Sequence, residues 1–122
     1  MSLELVVLFP AVLLLIFGII QAGLVYHARN VALAAAQEGV RAARAENGTA
    51  AAGAAAANSF VEQAGGQDVL RGLTITPQRT PTRAVVRVRG RSLSVLPGVP
   101  GIPVTQVARA PVERVTTSGG GP

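Results

Sequence analysis

The sequence predicts an α+β chain: a long amino-terminal helix, then a short helix, then a small three-stranded antiparallel sheet. Three observations carry this. A stretch without formal charge from Leu5 to Tyr26 opens the chain, alanine-rich helical composition follows on both sides of Asn47-Gly48, and alternating β-branched segments fill the region after Gln67. The expected organisation is a helix over 1–46 with a transmembrane or filament-core segment at 5–26, a small extracytoplasmic α+β domain over 49–115, and a disordered tail over 116–122.

Composition narrows the function classes. The 122 residues amount to one domain at most. Aromatic residues make up 3% of the chain and Trp is absent, so bulky material for a deep interior is scarce. Without cysteine there is no disulfide framework and no thiolate metal site, and a single histidine makes no zinc site alone. No nucleophile stands with a plausible base, no glycine-rich phosphate loop is present and carboxylates are not clustered. Catalysis is not expected, and neither a cofactor nor a metal is implied. The net charge is +5 and every cation other than His27 is arginine.

The first element is long enough to cross a bilayer. Leu5 to Tyr26 is about 22 residues, roughly 33 Å as a helix, against a hydrocarbon thickness of about 30 Å. A cleaved signal peptide is the rival reading, with "VALAAA" (Val31 to Ala36) as its cleavage site, but the run is longer than an ordinary signal core and no basic residue precedes it. His27, Arg29, Arg41 and Arg44 follow the run, which by the positive-inside rule would hold the bulk of the chain in the cytoplasm unless a basic leader precedes Met1. Tyr26 beside His27 suits an interfacial anchor.

Glu4 and Pro10 admit two readings each. In one, Ser2 caps the helix, Glu4 meets the positive end of its dipole, and Pro10 is tolerated as prolines are in membrane helices. In the other, the helix leaves the bilayer for a bundle of its own kind, where a buried carboxylate must find a cation. The amino-terminal ammonium of an adjacent, axially displaced copy would serve and would set the stagger between subunits. Pro10 would then mark a kink or a locally melted turn.

Beyond Tyr26 the helix should continue to Glu46. Gly18, Gly23, Ala28, Ala32, Ala35, Gly39 and Ala42 recur at intervals of three to five residues, a seam along which a second helix could approach closely, although alanine is also simply a good helix former. Asn47-Gly48 is a stop signal, read as a left-handed helix end. The same residues with Thr49 fit the N-glycosylation pattern, which the turn explains equally well. Thr49 should cap a second helix ending near Ala64 before Gly65-Gly66, with Phe60 and Val61 anchoring it on a sheet.

Strands are expected at Val69–Thr76, Arg83–Val95 and Val104–Val115. Pro77 and Pro81 should bracket the first connection, "PGVPGIP" (Pro97 to Pro103) forms the second, and Pro111 places the last strand at an edge or breaks it. In the central strand Ala84, Val86 and Val88 face one way while Val85, Arg87, Arg89 and Arg91 face the other. The basic face is either plain solvated surface or, at Arg87, Arg89 and Arg91, a contact for an anionic surface. No aromatic residue interleaves these arginines, so nucleic acid is not the expected partner.

These residues carry a resemblance. "ELVVLFPAVLLLIFGIIQAG" (Glu4 to Gly23) followed by "AAQEGVRAA" (Ala35 to Ala43) is similar to the amino-terminal region of TadE-like proteins, minor pilins or pseudopilins of tight-adherence (Flp-type) pilus systems. The shared pattern places Glu4, Pro10, Phe17 and Gly18, then Glu38, Gly39 and Arg41. The resemblance implies a pilin-like fold. It implies subunit assembly through Glu4, Pro10, Phe17, Gly18 and Gly23, and helix packing through Glu38, Gly39 and Arg41. It also implies partners: other pilin or pseudopilin subunits, the pilus assembly machinery, the lipid bilayer, and a prepilin peptidase acting on a leader. The expected location is the cytoplasmic membrane, single-pass, with the carboxy-terminal part extracytoplasmic. The chain departs from the pattern at Gln21, where the family often has an acid, and Glu4 falls one position short of the usual fifth place. The alternative is a single-pass anchor that presents a small binding module and joins no filament.

Overall fold

An acid in the first turn (Glu4), arginines in the last turn (Arg41 and Arg44) and an apolar or alanine-rich interior all favour one continuous helix, and one forms. A computed structural model describes residues 3–113 of the chain. Helix α1 spans Leu3–Arg44, α2 spans Ala50–Gln63, a short 3-10 turn covers Gly66–Asp68, and three strands follow at Arg71–Arg79 (β1), Arg83–Arg91 (β2) and Pro103–Pro111 (β3). Ser2 and the segment 116–122 lie outside the described residues. Helix α1 passes through Pro10 without interruption.

The stop at Asn47-Gly48 works by a different device from the expected one. Neither residue has a positive φ. A Cβ on Gly48 would instead drive into the carbonyl oxygens of Ala42 and Ala43, and Gly48 N–H donates to Ala45 O at 2.8 Å. The turn is tight because only glycine fits beneath the helix end. Thr49 then caps α2 as expected, its Oγ1 accepting from Ala52 N–H at 2.9 Å.

The sheet has the order β1-β2-β3 with both pairs antiparallel. One face carries the core. Ala84, Val86 and Val88 of β2 are fully buried beneath the two helices, and Val104 of β3, Val61 of α2 and Leu70 join them. Helix α1 contributes Ala28, Val31, Ala32, Ala35, Ala36 and Val40 at helical spacing, and Ala43 is buried one turn further on. Phe60 packs at the margin of this cluster.

The boundaries of all three strands differ from expectation: β1 runs on to Arg79, β2 stops at Arg91, and β3 stops at Pro111, with Val112 and Glu113 outside it. Pro77 lies inside β1, opposite Val86, and does not belong to the connection. That is tolerated because β1 is an edge strand, where a missing N–H need not face a ladder partner. Strand β2 ends at Arg91 because Leu93 to Val95 leave the sheet for α1. Pro111 closes β3 at the opposite edge, as its chemistry requires.

Candidate functional site

The structure divides α1 into two halves with different surroundings. From Leu3 to Ile20 every residue is exposed, including Glu4, Pro10, Phe17 and Gly18. The most apolar window of this helix contributes nothing to the chain's own interior. Gly18 and Gly23 have no neighbour within 4 Å of where a Cβ would stand. The expected assembly residues therefore lie on a surface left entirely free by their own domain, with Glu4 at its tip.

The other half of the small-residue seam is turned inward. Gly39 meets Gly53 of α2 where the helices cross: a Cβ on Gly39 would lie 2.9 Å from Gly53 O and 3.1 Å from Ala57 Cβ. Ala28, Ala32 and Ala35 are likewise fully buried in the chain's own core. Close helix approach does occur along the seam, but its partner here is α2 of the same chain. Glu38 and Arg41, one turn apart, form a long ion pair of 3.8 Å on the exposed side of the helix, where such pairs contribute little.

Gln21 marks the division between the halves, and sequence reasoning noted it only as a departure from a family pattern. It is 7% exposed. Its Nε2 donates to Leu93 O at 2.9 Å and its Oε1 accepts from Val95 N–H at 3.0 Å. One amide thus imitates a strand partner for the segment after β2. An acid could not do this, because an ionised carboxylate only accepts and would face the Leu93 carbonyl. Gln21→Glu is expected to cost about 1–3 kcal/mol, confined to this contact. Amide hydrogen exchange at Val95 should accelerate by about tenfold or more while the β2 amides keep their protection.

The far end of α1 is fastened by two arginines that spacing alone did not single out. Arg79, on the inner face of β1, donates from Nε to Ala43 O at 2.6 Å and from Nη2 to Ala45 O at 3.2 Å. The Ala43 carbonyl belongs to the last turn of the helix, where intrahelical donors run out, Ala45 O already accepts from Gly48 N–H, and a cation there also opposes the dipole. Arg44 Nε donates to Pro111 O at 3.1 Å, and Glu113 N–H donates to Arg44 O at 2.8 Å. Both edge strands are thereby tied to one helix terminus.

The outer sheet face is basic over a wider area than three residues. Arg87, Arg89 and Arg91 are exposed on β2, as are Arg71 on β1 and Arg109 on β3, and β1 to β3 contain no acidic residue. The register sets Thr76 and Val107 beside Arg87 and sets Thr74 and Thr105 beside Arg89. Among the described residues, no group of three His, Asp or Glu stands close enough to hold a metal ion.

Comparison with known proteins bears on the first third of the chain. No curated protein and no solved structure matches the chain. Residues 1–41 match the family model described as TadE-like protein, which takes in the free apolar half of α1 and the Glu38-Gly39-Arg41 segment. That family is structural rather than catalytic. The match bears out the resemblance seen in the residues: the amino-terminal third of the chain is similar to TadE-like proteins.

Proposed function

We propose that the chain is a pilin or pseudopilin subunit of a tight-adherence pilus, held in the cytoplasmic membrane by α1 and passed from there into a helical assembly of similar subunits. One observation carries this reading. Leu3 to Ile20 is helical, apolar and exposed throughout, so its surface must be covered by lipid or by other helices. The carboxylate of Glu4 gives that surface a polar address. In lipid it lies within reach of the interface, but among packed helices it needs a cation, which the amino terminus of an adjacent copy or of another pilin would provide. The domain beyond Gln21 faces the extracytoplasmic side, and a prepilin peptidase and the pilus assembly machinery act on the chain at the membrane.

Cross-linking between helices separates this from a plain single-pass anchor. The chain has no native cysteine, so cysteines placed at exposed positions 5 and 15, which leave the Glu4 carboxylate intact, report only on introduced sites. Filament entry predicts disulfides between copies, or with another pilin, joining residues at different heights along the helix. A plain anchor predicts either no cross-links or only same-height pairs.

A further inference from the structure

The connection between β2 and β3 carries an interaction surface of its own. We propose that this loop, Ser92 to Ile102, is a second membrane-contacting element that seats in the headgroup region of the bilayer holding α1, with Arg71 and Arg91 above it at the level of the lipid phosphates. The inference rests on the membrane reading of α1 and extends it to a segment outside the TadE-like match.

Composition is the first argument. From Ser92 to Ile102 no residue carries a charge, and five are Leu, Val or Ile. Surface loops are ordinarily polar. This one leaves Val95 38%, Val99 44% and Ile102 44% exposed.

Position is the second. The loop is bonded to Gln21, at the boundary of the free apolar helix. Leu3 to Ile20 has a length of about 27 Å, close to the hydrocarbon thickness of about 30 Å. With Glu4 at one face of the bilayer, Gln21 and the loop reach the other. A segment extending through to Tyr26 would draw the Leu93–Val95 backbone into hydrocarbon, so the boundary belongs near Ile20. The residues from Gln21 to Tyr26 then occupy the interface, where Tyr26 is 70% exposed. Val99, Pro100, Arg71 and Arg91 line one groove with Ile20 and Leu24 of α1, so loop and helix share a continuous apolar surface.

Backbone satisfaction is the third. A loop seated in the hydrated headgroup region is helped by bonds that satisfy part of its backbone. Here Ser92 N–H donates to Ile102 O at 3.0 Å, Ile102 N–H donates to Ser92 Oγ at 3.1 Å, and Gln21 serves Leu93 and Val95. Val99 N–H donates to Leu96 O across a turn in which Pro97 precedes Gly98, and Gly98 has the positive φ (74°) that such a turn requires. At its mouth, Arg91 pairs with Arg71 across the strands and donates to Gly101 O at 3.1 Å. Two arginines paired across the strands and lining one groove suit phosphate oxygens.

The test uses the full chain in phosphatidylethanolamine–phosphatidylglycerol vesicles at no more than one copy per vesicle. An environment-sensitive fluorophore is placed on single cysteines at Leu14, Val99 or Thr76. The expected result is blue-shifted emission at positions 14 and 99 but not 76. Nitroxide near the headgroup should quench position 99 most strongly, and nitroxide deep in the acyl chains should quench position 14. Replacing phosphatidylglycerol by phosphatidylcholine should weaken quenching at position 99 only. Emission at position 99 as red as at 76, with 14 still buried, would overturn the loop proposal alone. Protection at 99 that arises only when several copies share a vesicle would overturn it in favour of a contact between copies. A water-exposed position 14 would overturn the membrane reading and the loop proposal with it.

Discussion

Gly39→Leu should unfold the domain beyond Gln21 at temperatures at least about 10 °C below those of the parent chain, while Gly18→Leu should leave the transition unmoved. The two glycines lie on one helix and share a place in the same small-residue seam. What separates them is what a side chain would meet. At Gly39 even a methyl group comes within 2.9 Å of a backbone oxygen of Gly53 and 3.1 Å of Val86 Cγ1. Neither can swing aside as the tip of a long side chain would. Leucine must push α1 away from α2 or from β2, and overpacking of this kind costs about 1–3 kcal/mol, more where backbone must move. For a domain of this size each kcal/mol lowers the midpoint by about 4–8 °C. At Gly18 nothing stands within 4 Å, and leucine is the better helix former. Thermal unfolding in detergent, followed by circular dichroism, reads both variants. If Gly18 lies at a subunit contact, Gly18→Leu should still block assembly, so stability and assembly would part at this residue.

Glu4→Ala should insert into membranes as well as the parent chain and fail to enter pili. Insertion is unaffected because alanine costs less than an acid anywhere in the span. Assembly is affected because, on the proposed pairing, removing one member of a buried ion pair leaves the other charge without a partner in an apolar surrounding. Such a loss costs about 3–5 kcal/mol, at least about a hundredfold in the equilibrium for adding a subunit. The measurements are the membrane fraction and the sheared pilus fraction from the same cells. A variant recovered normally in both would rule out the pairing. Glu4→Asp, which keeps the charge on a shorter arm, should recover part of the loss.

Much of the architecture was legible because local chemistry and tertiary structure agree. Thr49 is a capping residue and caps α2. Val86 and Val88 alternate with Arg87 and Arg89, and the sheet buries the first pair and exposes the second. Pro111 signalled an edge and lies on one. Pro77 carries the same signal, yet from sequence alone it marks a boundary equally well, because proline is found both at strand starts and within edge strands and only the pairing partner distinguishes the cases. The seam containing Gly39 was visible as a pattern, yet periodicity cannot say which helix fills a groove. Gln21 and Arg79 were out of reach for a related reason. Each bonds to backbone far along the chain, at Leu93 and Val95 for one and at Ala43 and Ala45 for the other, and backbone partners leave no trace in residue identity.

The alanine content of the helix–sheet interface has a calorimetric consequence. Ala28, Ala32, Ala35, Ala36, Ala43 and Ala57 are all fully buried, and each hides a single methyl group where a larger domain would hide leucine or phenylalanine. Unfolding therefore hydrates little new hydrocarbon per residue, and the heat-capacity increment, which follows that area, falls at the low end of the usual range of about 12–15 cal/mol/K per residue. A small increment flattens the dependence of free energy on temperature. The folded unit holds a modest margin over a broad thermal window, and cold weakens it little.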